Sequence, residues 1–175
     1  MPRLKHIDLK DYPYMTTTVI LNREPILNDT EIADIMLKVI LSGSKQKWYY
    51  LLSFVIMPEH IHLVIIPEGK KISECMKSVK GFSGWKINKK YNKKGSIWQS
   101  GFYNWILDSQ EKVLSRIKYI EENPVRKGIV ERPEDYKYSS AGCRDETDFG
   151  RYFKHAGQEC PAYSDGFILK QDRIS

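Results

Sequence analysis

Two apolar runs separated by a short polar turn constrain the fold of this chain more than any other feature. The first run, WYYLLSFVIM, covers residues 48–57, and the second, HIHLVIIP, covers residues 60–67. Each run has the length of a strand and is rich in β-branched and aromatic residues. Pro58 and Glu59 between them match the length of a two-residue hairpin connection. The sequence therefore predicts two well-buried strands that pair as a hairpin.

The segments on either side of the hairpin also show the periodicity of regular elements. The predicted elements are a strand over residues 14–22, a helix from residue 30, a lysine-rich helix after the hairpin, a strand over residues 98–107 and a helix over residues 111–122. This order predicts an α+β fold: a ferredoxin-like (RRM-like) antiparallel sheet with helices packed on one face, plus an extra C-terminal helix. Periodicity fades later, so we expect a domain over residues 1–141 and an irregular tail over residues 142–175.

Composition excludes several classes of protein. The 175 residues are 41% apolar and 29% charged, which is typical of one soluble domain with its own core. No run of about 18 apolar residues and no secretory signal are visible, so we expect no membrane span and a cytoplasmic location. The three cysteines form no CxxC motif, which argues against a disulfide scaffold. A zinc site from Cys143, His155 and Cys160 is a weak alternative, because its spacing is loose and a fourth ligand is missing.

The positive charge is concentrated in one segment. The net charge is +6, yet residues 70–95 contain nine lysines and one glutamate and carry +8, so the rest of the chain carries −2. A local basic patch is typical of a nucleic-acid footprint, although a solvated helix face is the simpler alternative. Phe82 is expected on the buried face of this helix, and Trp85 could stack an unpaired base. The residues expected to contact DNA are Lys77, Lys80, Trp85, Lys86, Lys89 and Lys90.

His60 and His62 are the strongest candidates for metal ligands. Alternate side chains of a strand share a face, so both imidazoles point the same way, about 6.6 Å apart along the backbone. That spacing allows two nitrogens to reach one metal ion. Ile61, Leu63 and Ile65 would lie on the other face, under helices. The alternative is a pair of core histidines that hydrogen-bond to the backbone.

Tyr119 is the candidate nucleophile on the last predicted helix. Helical geometry places Asn123, Arg116 and Lys112 on the same side as Tyr119, away from the apolar stripe. Neighbouring cations favour the phenolate, and the two cations could equally hold a phosphate. Asn123 could complete a metal site, and Glu122 is a rival third ligand. The apolar stripe comprises Val113, Leu114, Ile117 and Ile120.

Two other tyrosines are alternative nucleophiles. Tyr136 and Tyr138 lie after Pro133, in a turn-like segment without the helical neighbours that Tyr119 has. We therefore rank both below Tyr119.

These motifs resemble a known family. FVIMPEHIHLVIIP looks like the metal-binding strand of the HUH single-strand transposases. KYIEENPVRKGIVERPEDYKYSSA, GSIWQSGFYN and NREPIL resemble segments of the REP-associated tyrosine transposases, a branch of that superfamily. The resemblance covers roughly residues 12–141, and the combination of HxH with NPVR after a helical tyrosine is specific.

The resemblance implies a function, a cofactor and a nucleoid-associated location. His60 and His62 would bind Mg²⁺ or Mn²⁺, and Asn123, four positions after the tyrosine, would complete the metal site. Tyr119 would cut single-stranded DNA or DNA hairpins through a 5′-phosphotyrosine link, with Arg116 and Lys112 stabilising phosphate charge. The lysine-rich helix would form a docking surface beside this site. Because related enzymes include dimers and others that act alone, a homodimer is left open.

Two rival functions are also compatible with the sequence. One is a domesticated protein that recognises a DNA hairpin without cutting it. The other is an RNA-binding module, because the RRM has the same architecture. We see no RNP1-like run with paired aromatic residues in the strands, and histidines occupy the place of a stacking platform. Metal-dependent cleavage would discriminate between these functions.

Overall fold

The computed structural model describes residue 9 and residues 11–155, and within them a four-stranded antiparallel sheet with five α-helices. The elements are β1 (Tyr14–Val19), α1 (Thr30–Lys45), β2 (Tyr49–Met57), β3 (His60–Pro67), α2 (Ile72–Tyr91), β4 (Tyr103–Ile106), α3 (Gln110–Glu121), α4 (Asn123–Arg126) and α5 (Phe149–His155).

The strand order confirms the predicted architecture. The strands lie side by side as β4-β1-β3-β2, and every neighbouring pair is antiparallel. With one helix after β1 and one after β3, this is the ferredoxin-like arrangement. Met57 pairs with His60, so Pro58 and Glu59 form the predicted hairpin connection.

Helices cover both faces of the sheet. α1 and α2 pack on the face formed by Ile61, Leu63 and Ile65, as the sequence predicts. The extra helix α3 packs on the opposite face, where its apolar residues contact Val55 and Val64. The apolar runs of β2 and β3 are unbroken rather than alternating, so both of their faces need cover. One-sided helix packing therefore describes α1 and α2 but not α3.

Two residues expected in helix cores are exposed. Phe82 is 49% exposed and lies against the Trp48 ring, with 5.4 Å between ring centroids. The buried position in that turn belongs to Ser83, whose hydroxyl accepts a hydrogen bond from Trp98 Nε1 at 3.0 Å. On α3, Leu114 is exposed as well. Both predictions were wrong because periodicity does not show how wide a buried face is.

The last strand is shorter than predicted. Only Tyr103–Ile106 pair with β1, and Trp98 makes an isolated bridge to Ile20. Gly101 lies between these two pairings with a φ of +73°. That left-handed conformation interrupts an extended run and is accessible to glycine at little cost.

Residues 142–155 belong to the domain rather than to an irregular tail. Ser139, Ser140 and Asp148 follow the outer edge of β2, where Ser140 N–H donates to Phe54 O and Asp148 N–H donates to Leu51 O. α5 then packs its aromatic side chains against the apolar layer under α3. The boundary expected at residue 141 is therefore not a structural one. The rest of the predicted tail, residues 156–175, lies outside the described residues.

Candidate active site

His60 and His62 lie side by side on the sheet face that α3 covers. Their ring centroids are 4.7 Å apart and the ring planes meet at 70°. Their cross-strand partners Met57 and Val55 belong to the apolar layer under α3. The structure thus brings the two imidazoles together on one face, as strand alternation predicts.

The surroundings of the two rings suit metal ligands. Thr17 Oγ1 lies 2.7 Å from Nδ1 of His62, directly across the β1–β3 ladder. When Nδ1–H donates to this hydroxyl, the other ring nitrogen presents a lone pair to a metal. His60 Nδ1 is buried, has no hydrogen bond among the described residues and lies 3.7 Å from Glu59 Oε1. A buried nitrogen without a hydrogen bond is costly, and a bound cation would satisfy it.

Both imidazoles are held in the neutral form. Burial lowers the pKa of His60, and burial, followed by the charges of His60 and Arg126, lowers the pKa of His62 to about 3. Neutral imidazole is the form that binds metal. The two histidines therefore have the protonation state of ligands at neutral pH.

Tyr119 faces the histidines from the last turn of α3. Its ring centroid lies 6.4 Å from that of His62, and the side chain is 41% exposed. The Arg126 guanidinium lies 4.4 Å from the centre of the tyrosine ring and donates to the Tyr119 carbonyl. Arg116 lies 5.8 Å from the same ring. A phenol open to solvent, two cations and two imidazoles thus converge at one place.

The two candidates for a third metal ligand differ in their contacts. Asn123 is buried, and its Nδ2 donates to the carbonyls of Tyr119 and Ile120 at 3.3 and 3.4 Å, so its side-chain oxygen is the atom left for a metal. The Glu122 carboxylate pairs with Arg126 at 3.3 Å and lies 3.9 Å from Lys118. Among the described residues, no three His, Cys, Asp or Glu side chains cluster as a metal site. These contacts favour Asn123 over Glu122.

The two residues predicted to contact phosphate have different neighbours in the structure. Two further cations near the site were not predicted from the sequence. Lys112 forms an ion pair with Asp108 at 2.5 Å, whereas Arg116 reaches the tyrosine. Arg126 is the cation nearest the tyrosine ring, and Lys127 is close enough to His60 to lower its pKa. The signal for both was their position in the NPVRK run immediately after the tyrosine helix.

The lysine-rich helix does not lie beside this site. α2 packs on the opposite face of the sheet, so the expectation of adjacency is wrong. A groove of about 780 Å³ runs between α2 and the segment over residues 95–102, and Lys77 and Trp85 line it. Leu21 lies at one end of the groove, next to Ile20, whose N–H donates to Glu59 O beside His60. The groove and the histidines therefore lie at the same end of the sheet, on opposite faces.

The lysines of α2 differ in what holds them. The Lys80 ammonium donates to the carbonyls of Gln99 and Gly101, and burial lowers its pKa. Lys90 forms an ion pair with Glu31 at 2.8 Å.

The other lysines of α2 that are predicted to contact DNA are less constrained by neighbouring groups. Lys89 lies 5.1 Å from the centre of the Trp85 ring. Lys77 and Lys86 are exposed and have no ion pair or hydrogen bond within the described part of the chain. The exposed lysines are the ones best placed to meet phosphates.

The alternative nucleophiles and the alternative metal site gain no support. Tyr136 donates to Ile56 O at 2.7 Å and Tyr138 donates to Asp34 at 3.1 Å, and burial raises the pKa of both hydroxyls. Both side chains therefore hold the segment after α4 against the domain. Cys143 donates to Ser139 O, while Cys160 lies outside the described residues, as does the side chain of His155.

Comparison with known proteins gives a family match. The family model for IS200-like transposases matches residues 9–123. A Haemophilus influenzae protein, provisionally described as a REP-associated tyrosine transposase, is 30% identical over 99 residues, which cover 49% of this chain. The match spans 54% of that relative, about half its length.

A solved structure shares the fold. It is described as a REP-associated tyrosine transposase bound to a REP hairpin, and it superposes with a TM-score of 0.68 at 20% identity. The superposition covers 95% of this chain and 93% of that one. In the described part of this chain, no helix has the length and apolar character of a membrane span.

Proposed function

Because the chain belongs to the IS200-like transposase family, we propose that it cleaves and rejoins single-stranded DNA with Tyr119 as the nucleophile. The observation that carries the proposal is the placement of Tyr119 against the histidine pair, with 6.4 Å between the ring centroids of Tyr119 and His62. Of the three tyrosines considered, Tyr119 alone combines solvent exposure with neighbouring cations.

The proposed cofactor is Mg²⁺ or Mn²⁺ held by His60, His62 and the side-chain oxygen of Asn123. The neutral imidazoles, the Nδ1 of His60 that makes no hydrogen bond among the described residues, and the fixed Nδ1 of His62 support a cation site here. When bound, the metal would act as a Lewis acid on the scissile phosphate.

Tyr119, Arg116 and Arg126 have separate roles in the proposed reaction. Tyr119 Oη attacks phosphorus and forms a 5′-phosphotyrosine bond while the bond to the 3′ oxygen breaks. The phenol proton passes to solvent, and the leaving 3′ oxygen takes up a proton. Arg116 and Arg126 are placed to stabilise the negative charge that develops on the phosphate. Because the phosphotyrosine bond retains the energy of the phosphodiester, a second 3′-OH can rejoin the strand without a nucleotide cofactor.

The proposed substrate is a DNA hairpin with unpaired flanking nucleotides. The likeness in fold to a transposase described with a REP hairpin supports this class of substrate. Lys77 lines the groove along α2, and the exposed lysines of this helix carry the positive charge that a phosphate backbone requires.

The test is a covalent-adduct assay. The protein is incubated with a labelled single-stranded hairpin and Mn²⁺, and adducts are separated on a denaturing gel. We expect an adduct with the wild type, none with Tyr119→Phe, and none when a chelator removes the metal, because the nucleophile or the Lewis acid is then missing.

Tyr136→Phe and Tyr138→Phe are the matched controls, and both should still form the adduct. An adduct of normal yield with Tyr119→Phe would refute the assignment of the nucleophile. Hairpin binding without any adduct from the wild type would indicate the domesticated binding protein instead.

A further inference from the structure

Two aromatic side chains on the edge strand β4 are exposed and stacked on each other. Tyr103 is 51% exposed and Trp105 is 49% exposed. Their ring centroids are 6.4 Å apart and their planes differ by 20°. Neither the Tyr103 hydroxyl nor the Trp105 indole N–H makes a hydrogen bond within the described residues. A pair of aromatic residues is thus present on the sheet, although the sequence has no RNP1-like run.

Strand register places this pair on the same face as the candidate active site. Thr17 pairs with Tyr103 on one side and with His62 on the other, so the three residues form one row across the sheet. Directly opposed residues of antiparallel strands share a face. Two strand spacings separate Tyr103 from His62, which corresponds to roughly 10 Å. Met15, opposite Trp105, belongs to the apolar layer under α3 and confirms this assignment.

The pair is open because α3 does not cover it. α3 packs over β2 and β3. In the strand order these are the two strands farthest from β4. On this face β4 therefore presents two large rings to solvent, where they contribute little to the core. The cations Arg116 and Arg126 border the same face through their contacts with Tyr119.

We propose that Tyr103 and Trp105 form a stacking platform for unpaired bases that flank the DNA hairpin. The inference rests on the proposed function, because it adds a binding surface for the same single strand. Nearly parallel exposed rings can stack on the bases of any sequence, and the arginines beside Tyr119 match the negative charge of the phosphates that follow along the strand. The platform would lead the strand along the sheet face from the edge towards His62 and Tyr119.

The experiment compares three hairpin probes by fluorescence anisotropy at one salt concentration, with a chelator present to prevent cutting. One probe is blunt, one has a short unpaired 5′ flank, and one has a short unpaired 3′ flank. We expect the wild type to bind a flanked probe more tightly than the blunt probe. Trp105→Ala should weaken binding of that flanked probe by about 5- to 100-fold and leave blunt binding unchanged.

Two substitutions at the same position separate stacking from apolar bulk. Trp105→Phe retains an aromatic face and should keep most of the preference for the flanked probe. Trp105→Leu retains apolar bulk without a π-face and should lose it. Tyr103→Ala should act in the same direction as Trp105→Ala, and these half-exposed side chains can be replaced without opening the core.

Several results would overturn the inference. They are equal affinity of the wild type for all three probes, unchanged flank preference in Trp105→Ala, or full rescue by Trp105→Leu. A lower molecular mass of Trp105→Ala in sedimentation, without loss of flank preference, would assign the pair to contact with a second copy of the chain. The adduct assay is a separate readout, so failed cleavage with intact flank preference would refute the proposed chemistry and leave the platform standing.

Discussion

At the scale of single residues, one hydroxyl group decides which nitrogen of His62 faces the candidate metal. Thr17 Oγ1 forms a hydrogen bond of 2.7 Å with His62 Nδ1, and the pairing of β1 with β3 holds both residues in place. His60 has no such hydrogen bond among the described residues, and its buried Nδ1 lies 3.7 Å from Glu59 Oε1. Thr17 is therefore a positioning residue, because it acts through the imidazole of His62.

Thr17→Val should weaken Mn²⁺ binding by about 10- to 100-fold, because the ring of His62 loses the hydrogen bond that fixes it. Titration calorimetry with Mn²⁺ in the absence of DNA measures this change. Thr18→Val is the matched control, since Thr18 Oγ1 is buried without a hydrogen-bond partner in the described structure. Equal losses in both variants would show that the effect is structural rather than positional.

The residues of the site could be predicted to different degrees. The shared face of His60 and His62 follows from strand alternation alone, and the structure confirms it. Arg126 could not be assigned, because its reach back to Tyr119 depends on the turn between α3 and α4. Tyr103 and Trp105 were missed because their face is set by pairing with β1, which the sequence does not display.

At the scale of elements, the tyrosine helix is anchored by a buried polar cluster. Glu121 accepts hydrogen bonds from Ser53 on β2 and from Ser140, and it pairs with Arg144. The carboxylate is buried, so its partners determine whether its charge is tolerated. This cluster fixes α3 two residues after Tyr119 and ties residues 139–148 to the domain.

Arg144→Met should lower the free energy of unfolding by about 2 kcal/mol, since the buried Glu121 carboxylate loses its charged partner while Arg144 itself is partly exposed. Urea denaturation monitored by circular dichroism measures the change. Arg132→Ala removes a surface pair with Asp135 and should cost below about 1 kcal/mol. Equal effects of the two substitutions would mean that the buried cluster does not anchor the helix.

Element types were predictable, whereas their packing partners were not. The order of strands and helices follows from periodicity, and the structure confirms it. Burial of Ser83 in place of Phe82 depends on the indole of Trp98, which approaches from a distant segment. Residues 142–148 show no periodic pattern, and the edge of β2 holds them through Asp148, whose N–H donates to Leu51 O. The helix α5 was missed although Phe149, Tyr152 and Phe153 have helical spacing, because this pattern is only two turns long.

At the scale of the whole molecule, the groove between α2 and residues 95–102 lies at the same end of the sheet as the candidate active site, on the opposite face. Leu21 lies in the groove, and the preceding residue is bonded to the turn before His60. DNA in contact with both surfaces must pass around this end. The segment that carries the local charge of +8 is therefore separate from the candidate active site.

Lys86→Ala should make the salt dependence of hairpin binding shallower by about 0.7 to 0.9 in the slope of log K against log salt concentration, because one phosphate contact is lost. Lys137→Ala removes the same charge from a lysine paired with Asp34 and should leave the slope unchanged. Binding measured at several salt concentrations gives both slopes. A slope that changes equally in both variants would indicate that only net charge matters.

The separation of the groove from Tyr119 has a geometric consequence. The two surfaces lie on opposite faces of the sheet, and each helix layer on these faces is about 10 Å thick. The end of the sheet therefore keeps the two surfaces a fixed distance apart. If the stem of a hairpin lies in the groove, the phosphate that reaches Tyr119 is selected by its distance along the strand from that stem. The protein would then act as a molecular ruler, and the cut site would be set by length as well as by base identity.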